Sequence, residues 1–332
     1  MTAFKLDPQG FYRRVPLTPE QMLERLTPAE DTIVLCHFGV PRLARDAWNL
    51  TIDGLVARPL TLRFEDLQRL RKVEVTTFHQ CAGSPLQPSE PTRRICNVTW
   101  GGVRLTDLLM LCRLDRKAAF LWSYGVDGGE FGGVAVDAYL KDLPIKRIGA
   151  DVMIVYEMNG EPLSPENGFP ARLVVPGFYG TNSVKWLRRM TLADRRAVSP
   201  FTTRWYNDPV FDAAGKPTSE TTPVWAIAPE SVIVAPAPNR KVVMSTMTEI
   251  WGWAWADGGI DRVEISADDG MNWDPANVEM PRGREWQRFS YRWSPTRHGS
   301  VTLASLAIAK DGRRQPDKGS RNAIYRINVE AV

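Results

Sequence analysis

From residue 48 to 53 the chain alternates apolar and polar positions, Trp-Asn-Leu-Thr-Ile-Asp, and then meets Gly54, the pattern of a half-buried strand closed by a turn. Residues 73–78 predict a second strand, 151–158 a buried one entering the Asn159–Gly160 turn, and 171–175 another, stopped by Pro176–Gly177. Helical spacing is confined to short stretches. In 18–26, Thr18 can cap, Pro19 suits the first turn and Met22, Leu23 and Leu26 share a face; 62–70 and 107–112, the latter capped by Thr106, are the other two. Strands and short helices without regular βαβ alternation predict an α+β domain, not a doubly wound sheet.

After residue 200 the pattern changes. Pro200, Pro209, Pro217, Pro223 and Pro229 punctuate a stretch of little periodicity, read as a long ordered connection. Strand-like runs follow at 231–235, 242–246, 250–256, 262–266, 288–293 and 301–309, with turns such as Asp257-Gly258-Gly259 and Asp268-Asp269-Gly270 between them. That is the rhythm of an immunoglobulin-like β-sandwich, here without its cysteine pair. The predicted layout is an N-terminal arm at 1–29, an α+β domain at 30–200, a connecting segment at 201–229 and the sandwich at 230–332.

Composition narrows the class. A chain of 332 residues, 43% apolar and 24% charged, has ample material for two folded domains. The net charge of +4 is dispersed, with only short pairs such as Arg93–Arg94 and Arg195–Arg196, which excludes a nucleic-acid footprint. No run approaches the ~18 apolar residues of a membrane span, and no signal-peptide core is seen. Arg13–Arg14 is followed by Val-Pro-Leu-Thr-Pro-Glu, not by the apolar stretch of a twin-arginine signal. Cys36, Cys81, Cys96 and Cys112 have neither metal-finger spacing nor disulfide density, so free thiols in the cytoplasm are expected, or the periplasm if a leader has been trimmed.

The segment FHQCAG, residues 78–83, sets Cys81 directly after a predicted strand. A thiolate there can act as a nucleophile or bind a soft metal; otherwise it is one more buried cysteine. His79 is near in sequence, yet shares a strand face with Cys81 only if the strand continues past it, and a metal-free cysteine hydrolase built on the pair lacks an identifiable third group. No glycine-rich phosphate loop of the Rossmann or Walker type is present.

FHQCAG, WGGVRLTDLL at 100–109, YEMNGEPLSPENGFPARLVVPG at 156–177, YGTNSVKWL at 179–187 and VEISADDGMNW at 263–273, in this order and spacing, resemble the sulfite oxidase family of molybdenum enzymes. The resemblance implies a molybdopterin-binding α+β domain followed by an immunoglobulin-like domain that forms a homodimer. It implies that Cys81 is the protein ligand of molybdenum in a molybdenum-molybdopterin cofactor, and that His37, Asp127, Arg172 and Lys185 contact the pterin. Asn182 and Ser183 stand at cofactor-contacting positions where an Arg–His pair is common, and Asn167 where a histidine is usual. Tyr206, in TRWYND, falls where the family keeps a tyrosine beside the substrate face.

The departures bear on substrate. Leu35 and Leu86 stand where sulfite oxidases carry arginines, Cys36 replaces an asparagine, and the loop between Pro91 and Trp100 is shortened. Sulfite is a dianion near neutral pH, and losing two charged contacts of about 1.5–3 kcal/mol each weakens its binding by orders of magnitude unless other cations compensate. Arg93, Arg94 or an arginine of the second domain are the candidates. The expected activity is oxygen-atom transfer on a small-molecule substrate less charged than sulfite, or larger, with a true sulfite dehydrogenase as the rival and a non-catalytic binding protein as a third reading. No CxxCH haem signature or flavin motif occurs, so electrons must leave to a separate acceptor such as a cytochrome.

Overall fold

The structure, a computed structural model, describes residues 17–83, 93–212, 215–318 and 320–332. Arg13–Arg14 and Leu86 lie outside the described residues. The chain gathers into two compact units, one from Ile33–Val75 and Thr99–Trp225, the other from Thr76–Val98 and Ala226–Val332 together with residues 17–32. The strands Val73–Gln80 and Ile95–Arg104 each run from one unit into the other. Residues 76–83 and 93–98, which a boundary drawn linearly along the sequence assigns to the first domain, therefore group with the C-terminal part.

In the first unit, Asn49–Gly54 buries Leu50 and Ile52 and turns Asn49, Thr51 and Asp53 outward, as its alternation requires. It pairs antiparallel with Leu60–Arg63 and parallel with Leu187–Ala193, and Phe120–Gly125 and Leu140–Pro144 complete a five-stranded sheet. A second sheet centres on Met153–Met158, flanked by Ile95–Arg104, Arg172–Val174 and Glu161–Pro162. Leu67 of the helix Phe64–Arg69 and Leu105 and Leu108 of the helix Leu105–Cys112 join Leu50, Ile52 and Ile154 in one core. The α+β expectation is met.

The stretch read as a connection holds more structure than expected. It contains the short helix Pro200–Thr203 and a two-stranded ribbon, Asn207–Phe211 against Pro217–Pro223. The helix expected over 18–26 is instead a single 3-10 turn, Pro19–Gln21; Met22 is buried, but Leu23 and Leu26 are 60% and 45% exposed, so no common apolar face exists to hold a helix.

In the second unit two sheets face each other. One has the order Glu230–Ala235, Thr248–Trp255, Gln287–Trp293, Asn277–Val278; the other Lys241–Val242, Arg326–Ala331, Gly299–Ala309, Ile260–Ser266, Asp274–Pro275. Ile233, Ile250, Val263, Ile265, Phe289, Leu303 and Ile327 fill the space between them. The β-sandwich expected from 230 onward is present. No helix among the described residues is long and apolar enough to cross a membrane.

Candidate functional site

In the first unit the loop 35–37, the turn Pro165–Asn167 and the segment 182–185 are drawn together by two cations. Lys185 Nζ donates to Leu35 O at 2.7 Å and Glu166 O at 2.8 Å and lies 3.3 Å from Cys36 Sγ. Its three protons are thereby engaged. Arg172 donates to Asn167 O and Ser183 O, both at 3.0 Å, with its guanidinium over the Trp100 ring. Gly168, at φ +108°, ends the turn between the two stems; a Cβ there would lie 3.1 Å from Lys185 Cβ and 3.2 Å from Arg172 Cβ. Lys185 and Arg172 thus brace three backbone segments, and what they present outward is their charge.

Around this brace, buried acceptors are left over. Asp127 is 8% exposed and its Oδ1 has no hydrogen-bond partner among the described residues; burial pushes the carboxyl up to about 6, against the pull of Lys185. Asn182 donates from Nδ2 to Tyr179 O and Val224 O, leaving Oδ1 buried and unpartnered among the described residues. Ser183 Oγ accepts from Val175 N–H. A ligand with N–H donors and an anionic group fits this set: its donors meet Asp127 Oδ1 and Asn182 Oδ1, and its charge meets the field of Lys185 and Arg172. A molybdopterin has both features, so the residues fit it.

His37 stands in an aromatic wall. Its ring centroid is 5.1 Å from Phe131 and Phe201 and 5.2 Å from Tyr139, and its Nε2 is 2.7 Å from Tyr206 Oη. Burial first, and then the Lys185 charge, push the imidazole down to about 3, so the ring is neutral and its tautomer decides which atom donates to the other. Tyr206 follows the helix Pro200–Thr203 and takes φ +58°, a left-handed conformation that is uncommon for a bulky residue. Behind it lies Lys141, 2% exposed, with Nζ 5.4 Å from the centroid of the Tyr206 ring and donating to Phe201 O at 2.9 Å. The carboxylate of neighbouring Asp142 is taken by Arg196 at 2.7 and 3.1 Å.

Cys81 belongs to the second unit. The strand Val73–Gln80 ends one residue before it, so the continued alternation that a Cys81–His79 pair requires is absent. Cys81 N–H donates to Arg94 O at 2.8 Å, Arg94 Nη1 donates to Gly83 O at 2.8 Å, and Arg321 donates to Ala82 O. Gly83 N–H points at Cys81 Sγ, 3.4 Å away. The contact fixes where the sulfur sits, and a thiolate is the form of cysteine that binds a soft metal. Arg93 is not available to a substrate: it is 1% exposed and pairs with Glu230 at 3.2 Å.

The structure brings His37 and Tyr206 into contact and gathers Asp127, Arg172, Asn182, Ser183 and Lys185 around one brace. Lys141 and the wall of Phe131, Tyr139, Phe201 and Trp205 escape a reading of the sequence. The one signal for Lys141 is a lysine inside the apolar run Leu140–Pro144.

Two family models match the chain. An oxidoreductase molybdopterin-binding domain matches residues 37–201, and a Mo-co oxidoreductase dimerisation domain matches 221–312. The mitochondrial sulfite oxidase of Macaca fascicularis is 30% identical over 95% of this chain and 62% of its own length. An NAD(P)H nitrate reductase of Hordeum vulgare is 29% identical over 82% of this chain and 35% of its own. Among solved structures, the sulfane dehydrogenase SoxCD from Paracoccus pantotrophus superposes with a TM-score of 0.78 at 29% identity, covering 94% of this chain and 83% of that one. The chain thus spans about three fifths of the length of the sulfite oxidases it matches.

Proposed function

Because this chain belongs to the sulfite oxidase family of molybdopterin oxidoreductases, we propose that it is a molybdenum-cofactor-dependent oxidoreductase that hands its electrons to a separate acceptor such as a cytochrome. When bound, the cofactor supplies two-electron oxygen-atom-transfer chemistry. The protein's part is to hold and orient. In this reading Cys81 is the metal ligand, Asp127 and Asn182 accept hydrogen bonds from the pterin, His37 contacts it as a neutral ring, Lys185 and Arg172 supply positive potential for its anionic group, Ser183 shapes the same segment, and Tyr206 faces the substrate.

The observation that carries this reading is the Cys81 turn, whose Gly83 N–H is aimed at the sulfur. Elemental analysis and turnover of Cys81→Ser test it. Stoichiometric molybdenum in the parent protein with loss of metal and activity in the variant is expected; retained metal and turnover would overturn it. A metal-free cysteine hydrolase predicts no molybdenum in either protein, and no finding supports it.

For the substrate we favour a species less charged than sulfite, or larger. Leu35 is apolar, Arg93 is neutralised by Glu230, and Arg94 donates to Gly83 O. The relatives' own names cover sulfite, nitrate and sulfane, so the family tolerates such variation. A low micromolar KM with fast turnover on sulfite would restore the rival, a sulfite dehydrogenase. The match of 221–312 to a dimerisation domain supports a homodimer built on an immunoglobulin-like sandwich at about 230–332, with cofactor binding centred on 30–200. Its free cysteines support a cytoplasmic location.

A further inference from the structure

Beneath the Cys81 turn lies a polar network with Glu230 at its centre. Glu230 opens the strand Glu230–Ala235 and is fully buried. Its carboxylate accepts from Gln80 Nε2 at 2.6 Å and pairs with Arg93 Nε at 3.2 Å. Gln80 is tied further, donating to Asn322 Oδ1 at 3.1 Å and accepting from Trp255 Nε1 at 3.0 Å. Asn322 in turn donates to Ala228 O at 2.9 Å, and the Arg93 guanidinium lies 4.5 Å from the centroid of the Tyr325 ring.

Each of the three segments that enter this buried layer supplies, one residue along, a group that closes the turn above it. Next to Gln80 is Cys81, whose N–H donates to Arg94 O; next to Arg93 is Arg94, which donates to Gly83 O; next to Asn322 is Arg321, which donates to Ala82 O. The inner layer is Gln80, Arg93 and Asn322, and the outer layer is Cys81, Arg94 and Arg321.

We propose that Glu230 is a positioning residue for Cys81. It touches neither the sulfur nor anything bound to it. It acts through Gln80 and Arg93, fixing where the strand Val73–Gln80 ends and where Arg94 presents its carbonyl, and so sets the geometry in which Gly83 N–H reaches Sγ. A buried carboxylate suits this task because its partners cannot be exchanged for water: losing the charge leaves the Arg93 guanidinium buried and uncompensated, and the segment carrying it must shift. The role for catalysis rests on Cys81 being the metal ligand.

Hydrogen–deuterium exchange on the full, cofactor-loaded chain, together with Mo(V) electron paramagnetic resonance, tests the inference. Glu230→Gln keeps the shape and removes the charge. Amides of residues 81–83 are expected to exchange at least tenfold faster than in the parent, and the Mo(V) g-values to shift as the N–H bond to sulfur lengthens. Should Glu230→Gln fail to fold, Glu230→Asp, which keeps the charge but withdraws it by one methylene, is read in the same way. A folded variant with parent-like exchange and parent-like g-values overturns the inference, since a purely stabilising network would lower only the melting temperature. Cys81→Ser separates the two failures: if it keeps its molybdenum, the ligand reading falls, whereas if it loses the metal while the Glu230 variants leave the turn unchanged, only the positioning role falls.

Discussion

Tyr206 Oη lies 2.7 Å from His37 Nε2, and the residue that delivers it is held in a left-handed conformation at φ +58°. Tyr206→Phe keeps the ring over Lys141 and removes the hydroxyl. We expect a loss of about 1 kcal/mol in stability from the missing hydrogen bond, and a fall of about 10²–10⁴-fold in turnover if the hydroxyl serves the substrate as a proton donor or acceptor. Urea denaturation and steady-state kinetics on the loaded protein check the two separately.

Lys141 gives a pH signature. Its burial pulls the ammonium down to about 8, partly opposed by Asp142, from an ordinary value of 10.5 in the unfolded chain. Between these values the unfolded chain holds a proton that the folded one has released, so this group makes stability rise with pH across roughly pH 8 to 10.5. Lys141→Met removes the dependence. The stability of the parent relative to the variant is expected to improve by up to about 3 kcal/mol from pH 7.5 to 10.5; parallel urea midpoints across that range would contradict it.

Why Lys141 was hidden while Cys81 drew a candidate role is a matter of what each lies beside in the sequence. Cys81, a weak candidate by its local pattern, stands out through the resemblance of the blocks around it to the sulfite oxidase family. A buried lysine is rare, and nothing near it in sequence says that Tyr206 and the Phe201 carbonyl will come to it from some sixty residues away. The same holds for the fold. Asn49–Gly54 has clean period-two burial and reads directly, whereas its parallel partner Leu187–Ala193 buries Leu187, Met190, Leu192 and Ala193 without regular alternation. The ribbon at 207–223 was concealed by its prolines, which a two-stranded edge tolerates because an outward N–H is not needed.

Gly125 is the position at which a single methyl reaches the candidate cofactor contacts. A Cβ there would lie 2.2 Å from Asp127 Oδ1 and 3.0 Å from Lys185 O. Gly125→Ala is expected to cost about 1–3 kcal/mol of stability and, by displacing the Asp127 carboxylate, to lower cofactor retention while most of the protein remains folded at 25 °C. The fluorescence of pterin released from purified protein, set beside the melting curve, measures both effects.

Lys185 should resist its usual conservative replacement. Three acceptors, Leu35 O, Glu166 O and Cys36 Sγ, converge on one nitrogen, an arrangement that a planar guanidinium cannot reproduce. Both Lys185→Met and Lys185→Arg are therefore expected to purify with at least tenfold less cofactor than the parent. Full loading of the arginine variant would show that charge alone suffices.

The turn at Cys81 draws its supports from widely separated stretches of the chain. Gln80 and Arg94 leave the ribosome first, Glu230 follows well over a hundred residues later, and Arg321 and Asn322 come later still. Synthesis runs from the N-terminus, so through most of translation the cysteine is carried on a strand whose end is not yet anchored. If Cys81 is the metal ligand, loading belongs after residue 322 has been made, and a product stalled before it offers the incoming metal only a loose thiol.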